Sequence, residues 1–140
     1  MRKILPPVIL NRSDFLRLHA LTAMNAAPSE AVALLEQELG RAEVVTDDRF
    51  PARIVALNSR VTFRDLLSGE QKTVTLVLPD KADEARGRIS VLSRLGAALI
   101  GLREGQVIAW ETWDEGECML MAVQVHEPEA PESRSPERWR

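Results

Sequence analysis

Side chains able to do covalent or metal chemistry are few and scattered in this chain of 140 residues. Cys118 is the one thiol, and it sits amid Met119, Leu120 and Met121 in a strand-like run, where a buried, inert cysteine is expected. His19 and His126 fall on separate elements, with no acid or second histidine at metal-ligand spacing. Asp114, Glu115 and Glu117 crowd enough carboxylates together to attract a cation, yet the same run reads as a hairpin turn flanked by solvated charges. There is no Gly-x-Ser-x-Gly, no phosphate-cradling loop and no cysteine pair. The expectation is therefore no catalytic residue, no metal and no cofactor. A lone cysteine also allows neither an internal disulfide nor a thiolate zinc site, which suits a reducing cytoplasm.

Binding chemistry has more material. Trp110 and Trp113 stand three positions apart near a strand end, so that one is expected inside and the other is available as an interface anchor. Arg60, Arg64 and Lys72 are expected on one face of a hairpin, either as a basic patch for a partner or RNA or as an ordinary solvated face. With a formal net charge of −3, the whole protein has no field that draws it onto nucleic acid. Apolar residues at 45% against 28% charged ones place the chain with folded globular proteins.

The elements that must position these groups begin with an edge strand. Met1-Arg2-Lys3 followed by Ile4–Leu10 has the order of a secretory signal, but Pro6-Pro7 interrupts the apolar run and no small-residue cleavage site follows. No apolar run approaches the roughly 20 residues that cross a bilayer, so no membrane partner is expected. Between Ser13 and Ala26, Phe15, Leu18, Leu21 and Met24 predict one helix, capped by Asn11 or Ser13. A second starts at Ser29-Glu30, where Val32, Leu35, Leu39 and Ala42 follow the 3-4-3 spacing of a coiled-coil seam. The short break between them predicts a hairpin of about 20 Å at 1.5 Å per residue. Helices of that length are marginal alone, so the hairpin must lean on the rest of the protein.

Asp47-Asp48-Arg49-Phe50-Pro51 marks a boundary into β-type patterning. Ile54–Leu57 is a short apolar run. Arg60–Arg64 alternates strictly, turns at Ser68-Gly69, and continues into Thr73–Leu78. A strand at Ile89–Val91, a helical turn over Leu95–Leu102 capped by Ser93, and strands at Val107–Trp110 and Cys118–Val125 complete an α+β chain. From Glu127 onward three of the eight prolines lie among Glu, Ser and Arg, a composition that cannot order itself. The expected organisation is a strand and helical hairpin over 1–48, a β-domain over 49–127 and a disordered tail over 128–140.

The ordered blocks Val61-Thr62-Phe63-Arg64-Asp65-Leu66, Ser68-Gly69-Glu70, Pro79-Asp80, Ala82-Asp83, Gly87-Arg88-Ile89-Ser90-Val91 and Ser93–Gly105 resemble the C-terminal, FKBP-like domain of the Gre transcript-cleavage factors of bacterial RNA polymerase. The whole chain resembles the Rnk family still more closely, a Gre relative with a shortened coiled coil. Leu57-Asn58-Ser59-Arg60-Val61 and Gly96-Ala97-Ala98-Leu99-Ile100-Gly101-Leu102-Arg103 carry that likeness.

The resemblance implies binding to RNA polymerase near its secondary channel, with DNA or RNA met only through the polymerase complex. The gripping segment maps onto Leu92, Ser93, Arg94 and Leu95; the family usually has proline where Arg94 stands, so a cation replaces it here. Gre factors carry acidic side chains at the tip of a long prong, where they help hold a metal ion and its water. The tip here, around Asn25, Ser29 and Glu30, has one carboxylate, on a short prong. The implied protein is a non-enzymatic, cytoplasmic regulator that competes with or modulates Gre-type factors without stimulating transcript cleavage; its oligomeric state is open, with a monomer the first expectation. Two alternatives stay open: direct regulation of nucleoside diphosphate kinase, and an FKBP-like prolyl isomerase, for which the chain supplies no Tyr and three Phe.

Overall fold

Asn11 ends one element and starts the next. It is the last residue of β1 (Val8–Asn11) and the N-cap of α1 (Arg12–Met24). Its Oδ1 accepts the Asp14 N–H at 2.7 Å and its Nδ2 donates to the Asp14 carboxylate at 3.2 Å, a reciprocal pairing that satisfies a donor the helix would leave open. Ser13, the other candidate cap, is engaged by Asp47 instead. These contacts are seen in a computed structural model that describes residues 4–25, 29–112 and 116–126.

Ser29 caps α2 (Glu30–Gly40) by accepting the Val32 N–H at 3.1 Å. The second helix stops two residues short of Ala42, which opens β2 (Ala42–Val45). That strand pairs with β1 in parallel, Val8 opposite Ala42 through Asn11 opposite Val45. The coiled-coil spacing had carried Ala42 into the helix; Gly40, a poor helix former, and the β-branched pair Val44-Val45 end it earlier.

The second part is a five-stranded sheet in the order β5-β4-β3-β7-β6. Its strands are β3 (Arg60–Asp65), β4 (Gln71–Val77), β5 (Arg88–Ser90), β6 (Val107–Thr112) and β7 (Gly116–Val125). All neighbours are antiparallel except β4 and β5. The loop before β5 supplies the parallel return through two 3-10 turns, Pro79–Lys81 and Glu84–Arg86. A short helix, α3 (Arg94–Leu99), crosses the inner face. Ile54–Leu57 is fully buried yet forms only a bridge to Arg103 rather than a strand.

One hydrophobic core runs through both parts. Leu10, Leu18 and Leu35 from the hairpin side join Val55, Val61, Leu76, Leu99 and Ile108, each large apolar side chain contributing about 1.5–3 kcal/mol by leaving water. The hairpin leans on the β-domain as its short arms require, α2 packing against α3. Gly101 sits at the joint. Its φ of +78° is left-handed, and a Cβ there would stand 2.4 Å from the Val8 side chain, so only glycine lets β1 approach.

The buried line of α1 is Asp14, Leu18 and Thr22, not the expected Phe15, Leu18, Leu21 and Met24. Phe15 and Leu21 are half-buried, and Met24 is 79% exposed. Two polar residues occupy the i, i+4, i+8 stripe, which is why apolar spacing placed the face a few tens of degrees away.

Candidate functional site

The segment Leu92–Leu95 is held by local hydrogen bonds that leave it little freedom. Ser93 Oγ accepts the Gly96 N–H at 3.0 Å and donates to the Ser90 carbonyl at 2.7 Å; Ser90 Oγ in turn accepts the Leu92 N–H at 2.9 Å. Gly96 lets the first turn of α3 lie directly on the backbone of Ser90 and Val91. Leu92, Ser93, Arg94 and Leu95 are each half-buried, so their outer atoms form a rigid surface strip.

Arg94 reaches from this strip to the hairpin tip. Its Nη1 lies 3.3 Å from Oε1 of Glu30, whose side chain is only 11% exposed. Two segments singled out separately in the sequence, 64 residues apart, therefore meet in one ion pair. Asn25 Nδ2 donates to the Leu21 carbonyl at 2.7 Å, closing the end of α1, and Ser29 is the α2 cap. The three tip residues all have structural tasks. Ala26, Ala27 and Pro28 between them lie outside the described residues.

Beside Arg94 and Leu95 is a cavity of about 260 Å³, lined by the apolar Phe63, Trp110 and Leu120 and by the charged Asp65, Glu70 and Lys72. Trp110 is 5% exposed, and its indole N–H has no hydrogen-bond partner. Cys118, opposite Trp110 in the β6–β7 ladder, also lines this cavity; the thiol is half-buried rather than sealed in the core. The arrangement can seat an apolar side chain between a cationic and an anionic rim.

Register corrects the expected basic cluster. Lys72 pairs with Phe63 and Arg64 with Gln71, so Lys72 shares the inner, cavity face while Arg60 and Arg64 lie outside. Among the imidazoles, His19 is exposed and stacks on Phe15 with ring centroids 6.0 Å apart, and the backbone N–H of His126 donates to the Arg60 carbonyl. Trp113, Asp114, Glu115 and the tail at 128–140 lie outside the described residues. Among the described residues, no three His, Cys, Asp or Glu side chains converge as a metal-ligand set, and no helix is long and apolar enough to cross a membrane.

Two buried acids that apolar patterning passed over position the hairpin behind this site. Asp14, 5% exposed, accepts the Leu57 N–H at 3.0 Å across the seam. Burial pushes its carboxyl above the ordinary range, against the lowering effects of the Leu57 N–H, Arg17 and Asn11. Asn11-x-x-Asp14, a capping-box-like spacing, was the signal that could have found it. Glu38, 1% exposed, is likewise raised by burial and partly held down by Arg41. Asp47 goes the other way, lowered by the Ser13 hydroxyl and N–H.

Because the folded-state pKa of Asp14 exceeds its unfolded value, the native state retains that proton longer. Its contribution to stability is fullest below the ordinary carboxylate range and declines as pH rises through the shifted value. Asp14→Asn keeps an acceptor for Leu57 and removes the charge. Thermal unfolding of the variant relative to the native chain should therefore improve between mildly acidic and neutral pH. Asp14→Ala, which orphans the buried N–H, should lose about 1–3 kcal/mol at both.

Comparison with known proteins agrees with this geometry. Residues 51–126 match the family model described as "Transcription elongation factor, GreA/GreB, C-term", and residues 6–45 match "Rnk N-terminus". The regulator of nucleoside diphosphate kinase from Escherichia coli K12 is 39% identical over 107 residues, 76% of this chain and 79% of the relative. The chain belongs to the Rnk family. Its β-domain is of the kind found in Gre factors. The transcription elongation factor GreA of Nitratidesulfovibrio vulgaris is 39% identical over 77 residues, 55% of this chain and 48% of that protein. A solved GreA/GreB-type elongation factor from Nitrosomonas europaea superposes with a TM-score of 0.67 at 34% identity, covering 88% of this chain and all of that one. The expected α+β architecture, a helical hairpin followed by a Gre-type β-domain, is the one this Rnk-family chain adopts.

Proposed function

We propose that this chain is a non-catalytic regulator of transcription in the cytoplasm, which docks on RNA polymerase near the secondary channel and competes there with Gre-type factors. The observation that carries the reading is the rigid Leu92–Leu95 strip at the mouth of an apolar cavity, on a β-domain of GreA/GreB type. The relatives bearing that domain are named transcription elongation factors.

The hairpin supports a role without transcript cleavage. Metal-assisted hydrolysis needs carboxylates delivered to the ion, and arms of 13 and 11 residues reach only about 20 and 16 Å. The tip carboxylate, Glu30, is meanwhile tied to Arg94 of its own β-domain. The protein occupies the dock and brings no chemistry to it.

A purified-component assay tests this. Excess protein should associate with polymerase and reduce Gre-stimulated cleavage while stimulating none itself. If it neither associates nor displaces a Gre factor, the reading fails. Crosslinks from positions 25 and 94 should map to polymerase; binding without any crosslink at 94 would put the dock elsewhere.

One observation favours a second reading. The E. coli relative is named for regulation of nucleoside diphosphate kinase, and kinase that co-purifies with this chain in the absence of polymerase would select direct protein-level control.

A further inference from the structure

The outer face of the five-stranded sheet, turned away from the cavity, carries a charge pattern that the docking strip does not use. Thr75 of β4 pairs with Arg60 on one side and with Arg88 on the other. Side chains at paired positions share a face, so Arg88, Thr75 and Arg60 form a row across three strands. Arg64 lies on the same face, four residues along β3 from Arg60. Strand spacing and rise place Arg88 about 10 Å and Arg64 about 13 Å from Arg60.

Hydroxyl and amide groups fill the space between the guanidinium groups. The Thr62 and Thr73 hydroxyls bond each other at 2.7 Å, and Arg64 donates to Gln71 Oε1 at 2.8 and 3.2 Å. Among the described residues none of the three arginines belongs to an ion pair. The carboxylate beside Arg88 is Asp83, and Arg86 already engages it at 3.6 Å. Three positive charges thus lie on the β3–β5 half of this face, while its exposed carboxylates, Glu111 and Glu117, stand opposite each other at the far end of the β6–β7 ladder.

Arg, Thr and Gln are side chains that contact phosphate and sugar oxygens. An acidic protein partner would want an aromatic anchor among them, and the Arg-bearing strands β3, β4 and β5 present no aromatic side chain on this face; the apolar neighbour, Met121 of β7 opposite Arg64, is half-buried. Single-stranded nucleic acid is held largely by stacking on aromatics. A duplex keeps its own bases stacked and offers a rigid phosphate array. We propose that the outer sheet face binds the phosphate backbone of duplex DNA without reading its sequence, through Arg60, Arg64 and Arg88. The contact is independent of the polymerase dock, which lies on the opposite side of the sheet.

Fluorescence anisotropy of a labelled mixed-sequence DNA duplex, titrated with the full chain, tests it. Three phosphate contacts predict a slope of log affinity against log salt near −2.7, or about a 40-fold loss between 50 and 200 mM. Arg60→Gln, Arg64→Gln and Arg88→Gln combined should bring the slope close to zero with an unchanged unfolding midpoint. Arg53→Gln, which removes an exposed cation paired with Glu104, should leave the slope alone. Absence of duplex binding at low salt, or an undiminished slope in the triple variant, overturns the proposal. So does tighter binding of single-stranded RNA than of duplex. A triple variant that loses polymerase association, where the native chain binds no duplex, would instead assign the face to an acidic protein surface.

Discussion

Arg41→Ala is expected to cost about 3–5 kcal/mol, because it strips the partner from a buried carboxylate. Arg41 Nη2 meets Glu38 Oε1 at 2.6 Å, and Nη1 donates to the carbonyls of Leu5 and Pro6. One guanidinium therefore neutralises Glu38 and ties the end of α2 to the segment that leads into β1. Its removal leaves a carboxylate at 1% exposure and two carbonyls without their donor. The loss should depend on pH. Burial already holds the Glu38 carboxyl above the ordinary range, and removing Arg41 removes the one group that lowers it. A raised folded-state pKa means stability is lost as pH rises through it, so the deficit should be largest at neutral pH and shrink in mild acid. Urea unfolding at both conditions measures this. Equal deficits would show that Glu38 is not the group left stranded.

Gly96→Ala is expected to cost about 3 kcal/mol or more, at the upper end of overpacking effects, and to lower the thermal midpoint by about 10 °C. A Cβ on residue 96 would stand 2.2 Å from the Ser90 carbonyl oxygen, 2.8 Å from the Val91 Cα and 3.0 Å from the Leu76 side chain. The first two neighbours are backbone and cannot rotate away. Relief requires α3 to lift from the sheet, which would open the packing around the fully buried Leu99 and displace Leu92–Leu95 together. Calorimetry of the variant decides it, and a shift of only one or two degrees would mean that α3 is free to slide.

The regions legible in the sequence are those where burial and apolar character coincide. Val61 and Phe63, Val74 and Leu76, and the caps at Ser29 and Ser93 are read off directly from alternation and capping chemistry. The α1 stripe was not, because Asp14 and Thr22 lie buried on it and hydropathy sends both outward. The same is true of Glu38, whose burial depends on Arg41. Strand β2 was hidden by a neighbouring helical period that ran on to Ala42. At the candidate site, the family resemblance points to Leu92–Leu95 and to the tip at Glu30 separately, but their meeting through Arg94 is a tertiary fact that no local spacing carries. Lys72 faces the cavity rather than joining Arg60 and Arg64 because its side depends on a one-residue register, and Phe63 opposite it settles that register only once the strands pair.

The parallel closure of β1 on β2 has a consequence for how this architecture varies. The chain enters the hairpin at Asn11 and leaves it at Ala42 through two strands zipped side by side, with Gly101 and Val8 locking that zip to the β-domain. Everything between is a cassette mounted on a fixed socket. Matched turns inserted between Asn25 and Ser29 would lengthen the reach and leave the socket's register untouched, with the Glu30–Arg94 pair kept at the base of the extension. Reach can therefore grow only beyond that pair, which fixes where the prong leaves the strip, and this chain is built with a short setting of it.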